Sequence, residues 1–331
     1  AASIMRGCDA VVMVANDVTS PDDKIWARTI HNQIESTNKI IAMASQEDDY
    51  SMTVPKEAID AIEATHRWSS NFVRRLNLCP WAGSSLDTEG AIRYWVLVVD
   101  DDDDDDDDGN AEHIDEQWAV VLDEMECIVR EAGKQLEQIT SSSASEEEEN
   151  CERMDRIDPS VAISFVILAS KSSTPELLPD FNTFHDFFID LEDRLLDECD
   201  EYWDYTDDDG EEVDHESDSP LGCKITPAAF HPQWQFGQDA DSEGGEMESP
   251  IDFEKRTPYP TISIVMSTAI DALMNERESD DIIDNLPEAD DSAPATKRIA
   301  ALNEATLESI GADRLREIFD AEVMQSSTID E

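Results

Sequence analysis

The stretch Ile92-Arg93-Tyr94-Trp95-Val96-Leu97-Val98-Val99 decides the fold class of this chain. It is almost wholly apolar and rich in β-branched and aromatic residues, which predicts a strand buried inside a sheet. Similar runs span Val161 to Ala169 and Lys224 to His231, and amphipathic helical patterns at 118–136 and 183–196 lie between the three runs. This alternation predicts an α/β (or α+β) fold, in which helices pack on a small sheet of about three to five strands.

Further helical patterns flank these strands. Apolar and small residues recur at intervals of three and four from Ile59 to Leu76, and Pro80 is expected to end that helix. The stretches Ile262 to Met274 and Ala295 to Phe319 are predicted to close the chain as helices. We therefore expect a main domain over residues 51–320. A strand-helix-strand pattern at 1–50 predicts an N-terminal appendage that belongs to a truncated or larger unit.

The charge of the chain is strongly negative. There are 23 Lys and Arg residues against 80 Asp and Glu residues, for a formal net charge of -57. Nucleic acids and anionic membrane surfaces would repel such a protein, so neither is expected as a partner, whereas a basic protein is. No apolar run approaches the roughly 20 residues that span a bilayer. The sequence predicts a soluble protein.

Much of the acidity lies in local insertions rather than in the domain surface. These insertions occupy residues 100–112, 141–150, 204–219, 239–249 and 275–294. Such runs repel themselves and have little apolar area to bury, so we expect long disordered acidic loops. Calcium binding is the alternative, but a calcium loop spaces its oxygen ligands around a glycine turn, and the runs of Asp and Glu do not.

Cysteine usage indicates the compartment. The six cysteines show no Cys-x-x-Cys spacing, which argues against a zinc module and against a disulfide framework. Free thiols in a reducing compartment are expected, and the sequence predicts an intracellular protein of the cytoplasm or a plastid. No metal site is predicted, and the sequence leaves any cofactor open.

Three short motifs stand out from the acidic background. The first motif is Leu76-Asn77-Leu78-Cys79-Pro80-Trp81-Ala82. The second motif is Phe230-His231-Pro232-Gln233-Trp234-Gln235-Phe236, and the third is Arg256-Thr257-Pro258-Tyr259-Pro260. Because motifs of this kind at the ends of elements are where loops meet along a sheet edge, we expect them to form one site.

These motifs, in this order, resemble the family called domain of unknown function 1415. The matching positions are Trp68, Cys79, His231, Gln235, Arg256 and Pro260. The resemblance covers roughly residues 54–319, apart from the acidic insertions, and it implies no established activity. Where the family continues with a His and then an Arg-Glu pair, this chain has Ser263, Met266 and Ser267. Any activity that needs those groups is not expected here.

The candidate catalytic residues are Cys79 as nucleophile, His231 as acid and base, and Arg256 as an anchor for an anion. Each has a structural alternative. Cys79 follows a helix end, where a thiolate is disfavoured, and can be a packing thiol. His231 can be a core histidine among aromatic rings, and Arg256 can pair with one of the many acids. Candidate ligand-binding residues are Arg93, Trp81, Gln235 and Tyr259.

Two functions of different classes stay open. In the first, the motifs form a Cys/His/Arg pocket that binds a small anionic ligand, and the protein is an enzyme or a sensor. In the second, the motifs are structural, and the protein is a non-catalytic acidic interaction or scaffold protein that binds basic partners. The two differ in whether Cys79, His231 and Arg256 share one pocket.

Overall fold

The computed structural model describes residues 55–80, 82–88, 90–99, 111–141, 157–170, 178–204, 219–236, 248–270 and 295–324. These residues form a four-stranded sheet with helices on both faces, so the predicted α/β class and strand number are confirmed. The N-terminal appendage predicted at 1–50 lies outside the described residues. So do the five acidic insertions, apart from a few residues at their margins.

The sheet contains β1 (Ile92–Val99), β2 (Ile163–Ser170), β3 (Ile225–Phe230) and β4 (Thr261–Met266), in the order β1-β2-β4-β3. Strands β1 and β2 are parallel, and β4 is antiparallel to both of its neighbours, β2 and β3. The stretch at 92–99 is buried along its whole length, as its composition predicted.

Strand β4 corrects the sequence prediction. The stretch Ile262 to Met274 was expected to be a helix, but Thr261–Met266 is a strand, and only residues 267–270 within that stretch are described as helical. A short apolar run is ambiguous between a helix and a buried strand. Its β-branched residues suit a strand, and its place between β2 and β3 gives it hydrogen-bonding partners on both sides.

One face of the sheet, called the α1 face here, is covered by helices that precede β1 and by helices that follow β4. Helix α1 (Lys56–Arg67) continues into a π-helical segment (Trp68–Arg74), and α2 (Ala82–Asp87) follows. From the C-terminal part, α6 (Ala295–Ile310) and α7 (Ala312–Phe319) contribute to the same core. A π-helical turn (Asp320–Met324) follows α7, and a 3-10 helix (Pro250–Glu254) lies before the third motif.

The opposite face, called the α3 face, is covered by α3 (Ala111–Thr140) and α4 (Phe181–Asp204). Their apolar sides pack on alternate residues of the strands, so that Trp95 and Leu97 of β1 point to this face while Tyr94 and Val96 point to the other. The short helix α5 (Leu221–Lys224) leads into β3. Among the described helices, none is long and apolar enough to cross a membrane.

A disulfide joins the two ends of the segment between α4 and β3. It links Cys199 near the end of α4 to Cys223 of α5, 24 residues later. The expectation of free thiols is therefore wrong for this pair, because the fold brings together two cysteines whose sequence spacing gave no signal. Cys79 and Cys127 form no disulfide within the described residues, and Cys127 is exposed.

Candidate functional site

The first motif begins with the turn that ends the π-helical segment. Asn77 takes the left-handed conformation, with φ of 54°. Its N–H donates to the carbonyl of Arg74 (3.1 Å), and the N–H of Leu78 donates to the carbonyl of Val73 (3.0 Å). This pair of bonds is a Schellman motif, in which Asn is tolerated at the left-handed position. The π-helical segment thus ends at Arg74 and its closing turn at Asn77, before the predicted stop at Pro80.

A single asparagine ties the first motif to the residues before the third. The Nδ2 of Asn303, in α6, donates to the carbonyl of Leu78 (2.9 Å) and to Oε1 of Glu254 (2.7 Å). Cys79 follows Leu78 and packs, half-buried, against the core of the α1 face. The first motif is therefore linked to Glu254, two residues before the third motif, and Cys79 and Tyr259 pack against the same core.

His231 follows β3 directly, at the strand end where it was expected, and its imidazole is enclosed. Its Nε2 lies 3.1 Å from the carbonyl of Pro179, and its Nδ1 accepts a hydrogen bond from the N–H of Gln233 (3.1 Å). The rings of Phe181 and Phe184 pack beside it. Burial lowers the pKa of His231 against the opposing effect of the Pro179 carbonyl. These contacts suit a neutral histidine whose two nitrogens are engaged with the backbone.

Arg256 is engaged within the fold as well. Its Nη1 forms an ion pair with Glu248, its Nη2 lies 3.9 Å from Oδ2 of Asp252, and its Nε donates to the carbonyl of Trp234 (3.2 Å). The guanidinium also lies over the ring of Phe253, with Cζ 4.7 Å from the ring centroid. Its side chain is only 12% exposed. This is the internal pairing that the sequence left open as an alternative.

The three candidate catalytic residues do not share one cluster of contacts. Cys79 packs in the core of the α1 face, whereas the ring of His231 packs against Phe184 of α4 on the α3 face. Arg256 bonds to the second motif through a backbone carbonyl rather than through His231. A catalytic role for this trio stays a prediction, and the geometry favours the structural alternatives for His231 and Arg256.

The charged residue at which the motifs converge is Lys255, which the sequence analysis missed. Its Nζ lies 4.7 Å from the ring centroid of Phe230, at the start of the second motif. Burial lowers the pKa of Lys255, while the nearby charges of Glu254, Glu192 and Cys79 oppose that shift. A lysine between Glu254 and Arg256, directly before the proline-rich third motif, was the available signal. Because two carboxylates accompany one ammonium, the surroundings of Lys255 are not those of an anion site.

The candidate ligand-binding residues are dispersed. Arg93 points to the α3 face and is 7% exposed, with Nη1 3.4 Å from Oε1 of Gln135 in α3. Tyr259 packs against the core of the α1 face, and burial raises its pKa. Gln235 is exposed, and Trp81 lies outside the described residues. Arg93 and Tyr259 are thus on opposite faces of the sheet.

The outer side of α4 forms a different kind of surface. Its exposed residues include four aspartates at positions that return to one side of a helix, with two apolar residues beside them, 41% and 59% exposed. We call this set the acidic stripe: Asp186, Asp190, Asp193 and Asp197, with Ile189 and Leu196. Asp190, Asp193 and Asp197 form no ion pair within the described residues.

The basic residues near the acidic stripe are used internally. Arg194 of α4 pairs with Glu126 of α3 (2.6 Å), and Arg130 of α3 pairs with Glu126 (2.9 Å) and with Glu198 of α4 (2.6 Å). This network joins the two helices, because both arginines are paired with carboxylates of α3 and α4. The aspartates of the acidic stripe are left facing solvent, without a compensating cation among these bases.

The described residues contain no group of three or more His, Cys, Asp and Glu side chains placed to hold a metal ion. Comparison with protein families, curated proteins and solved structures finds no match for this chain. The resemblance to the domain of unknown function 1415 family therefore stays a prediction that rests on the three motifs.

Proposed function

We propose that this protein is a non-catalytic interaction protein that binds basic partners through the acidic stripe of α4. The observation that carries the proposal is the set of unpaired aspartates beside exposed apolar side chains. Three of the four aspartates have no cation partner among the described residues, and Ile189 and Leu196 are exposed next to them. The net charge of -57 acts in the same direction, because it attracts basic partners over longer distances.

The spacing of the stripe indicates the shape of the partner. Asp186 and Asp197 are eleven residues apart, which corresponds to roughly 16 Å along a helix axis. Ile189 and Leu196 are separated by two helical turns, so both lie on the same side of α4. A basic segment that also carries apolar residues at helical spacing would match the charges and the apolar contacts at once.

The fold gives little support to the pocket function that the sequence also left open. His231 has both ring nitrogens engaged with backbone groups, and Arg256 is paired with acids of the chain itself. A catalytic pocket built on these side chains would first have to break those contacts. This cost favours the interaction function over an enzyme that uses the three motifs.

Peptide binding tests the proposal. Two peptides of equal length and positive charge are compared, one with leucines at helical spacing and one with serines in their place, by fluorescence anisotropy. We expect the leucine peptide to bind more tightly than the serine peptide. The affinity of both peptides should fall as the ionic strength rises from about 50 to about 200 mM, because salt screens the attraction between surface charges.

Variants of the apolar positions provide the control. Ile189→Ser together with Leu196→Ser should remove the preference for the leucine peptide. Met324→Ser, a change at a position 52% exposed at the far end of the chain, should leave it intact. If the two peptides bind equally well to the unaltered protein, the net charge alone attracts them, and the proposed binding surface is wrong.

A further inference from the structure

A second set of polar groups lies under α3, on the sheet face opposite Cys79. Arg93 and Ser164 occupy paired positions on the parallel strands β1 and β2, and their side chains point to the α3 face. Trp95, two residues after Arg93 on the same strand, points to that face as well. All three residues are at least nine-tenths buried, with 7%, 0% and 2% of their surface exposed.

The polar atoms of this set lack partners. The Nε of Arg93, the Oγ of Ser164 and the Nε1 of Trp95 form no hydrogen bond with any described residue. Within the part of the chain that the structure describes, the guanidinium of Arg93 has one hydrogen bond, the long one from Nη1 to Oε1 of Gln135, at 3.4 Å. No described carboxylate forms an ion pair with Arg93. Among the described residues its buried positive charge therefore has no counter-charge, which is unfavourable in a protein interior.

The chemistry of these atoms selects a class of ligand. Arg93 and Trp95 can only donate hydrogen bonds, and the hydroxyl of Ser164 can donate one too. Burial also lowers the pKa of Arg93, with no neighbouring acid to oppose it. These donors require hydrogen-bond acceptors, and the cation of Arg93 requires a negative charge. An oxyanion supplies both. The Nε side of a guanidinium is a position at which carboxylates and phosphates bind with charge-assisted hydrogen bonds.

We infer that Arg93, Ser164 and Trp95 form a binding site for a small oxyanion between strand β1 and helix α3. The site is separate from the acidic stripe and from the contacts of His231 and Arg256. The sequence already indicated Arg93 as a candidate ligand-binding residue, and this site assigns it an anion. Its ligand is a carboxylate or an inorganic oxyanion small enough to lie beside side chains of the core.

Titration of labelled protein tests this inference. The probes are inorganic phosphate and acetate, added separately at constant ionic strength with sodium chloride as the reference, and the readout is the indole N–H resonance of Trp95. We expect a saturable shift of that resonance with one of the two probes, which also distinguishes an inorganic anion from a carboxylate. The buried indole of Trp68 on the α1 face should not shift.

Two variants complete the test. Arg93→Met should abolish the shift and leave the melting temperature unchanged or higher, because it removes a buried charge that nothing in the described chain neutralises. Ser164→Ala keeps that charge and should weaken anion binding by about tenfold, the scale of one hydrogen bond to a charged group. Because Ser164→Ala leaves the guanidinium in place, it tests anion binding independently of the stability of Arg93→Met.

Three results would overturn the inference. The first is the absence of a saturable shift with either probe. The second is an unchanged shift in Ser164→Ala and Arg93→Met, which would place the anion elsewhere. The third is a melting temperature that falls by several degrees in Arg93→Met without any anion present, since the guanidinium would then have partners inside the fold.

Discussion

The ammonium of Lys255 lies over the ring of Phe230, 4.7 Å from the ring centroid. This contact joins the residue before the third motif to the first residue of the second motif. The acids Glu254 and Glu192 act on the same ammonium, and the pKa of each is raised by burial and lowered by Lys255. Lys255 is therefore a counter-charge shared by two partly buried carboxylates, and for Glu254 the amide of Asn303 adds a hydrogen bond that also lowers the pKa.

Replacing Lys255 with Met should destabilise the fold. The change leaves Glu254 and Glu192 without their shared cation, and we expect the free energy of unfolding to fall by about 1–3 kcal/mol, less than for a fully buried pair. Urea unfolding measures it. Lys134→Met, at an exposed lysine of α3, is the matched control and should have little effect. Equal effects of the two changes would show that Lys255 is not a structural counter-charge.

Asn77 should tolerate glycine better than alanine. At φ of 54° a residue with a Cβ and no local side-chain hydrogen bond is strained, so Asn77→Ala should cost about 1 kcal/mol of unfolding free energy. Asn77→Gly should be neutral or slightly stabilising, because glycine adopts this conformation without strain. The difference between the two urea midpoints is the measurement. An alanine variant as stable as the glycine variant would contradict the Schellman ending.

His66 should make stability depend on pH. Its pKa is lowered to about 4, chiefly by burial and then by Arg67, and its Nδ1 lies 3.1 Å from the hydroxyl of Tyr94. The unfolded chain takes up this proton near pH 6.5 and the folded chain only near pH 4. Stability should therefore fall as pH decreases through this window, by up to about 3 kcal/mol.

A substitution isolates that contribution. In His66→Gln the loss of stability between pH 6.5 and pH 4 should be smaller than in the unaltered protein. His185→Gln, at a histidine of α4 that is 39% exposed, serves as the comparison. Identical pH profiles for the unaltered protein and His66→Gln would mean that His66 accepts its proton as easily in the folded state as in the unfolded state.

Reducing the disulfide should destabilise the α4 and β3 region. The bond between Cys199 and Cys223 spans 24 residues, and closing a loop of this size is worth about 3 kcal/mol in the chain-entropy account. Cys223→Ser should lower the urea midpoint to that of the reduced protein, whereas Cys127→Ser, at an exposed free thiol, should not. If a reducing agent leaves the midpoint unchanged, the two thiols do not form a stabilising bond.

The sequence predicted those elements whose patterns are local. The apolar run at 92–99 became β1 with the predicted bounds, and the predicted helices at 118–136 and 183–196 lie inside α3 and α4. Strand β4 was missed because a six-residue apolar run carries no helical or strand period of its own. Its identity is set by β2 and β3, which are distant in sequence.

The site residues were harder to predict than the fold. Asn303 and Lys255 link the first and second motifs to the residues directly before the third motif, but the sequence could not show which side chains face one another across the sheet. His231 follows a strand end as expected, and its ring packs against Phe184 of α4. The sequence did not predict the acidic stripe, because aspartates on the outer side of an amphipathic helix carry no signal of a binding surface by themselves.

Neutralising the acidic stripe tests the central claim most directly. Asp190, Asp193 and Asp197 are changed together to Asn, and the control variant changes Glu304, Glu308 and Asp320 on α6 and after α7 to the matching amides, with the same change in net charge. The measurement is the dissociation constant of the basic leucine peptide. We predict a loss of affinity of about tenfold for the stripe variant and little change for the control. Equal losses in both variants would contradict the account, because binding would then follow net charge and not the surface of α4.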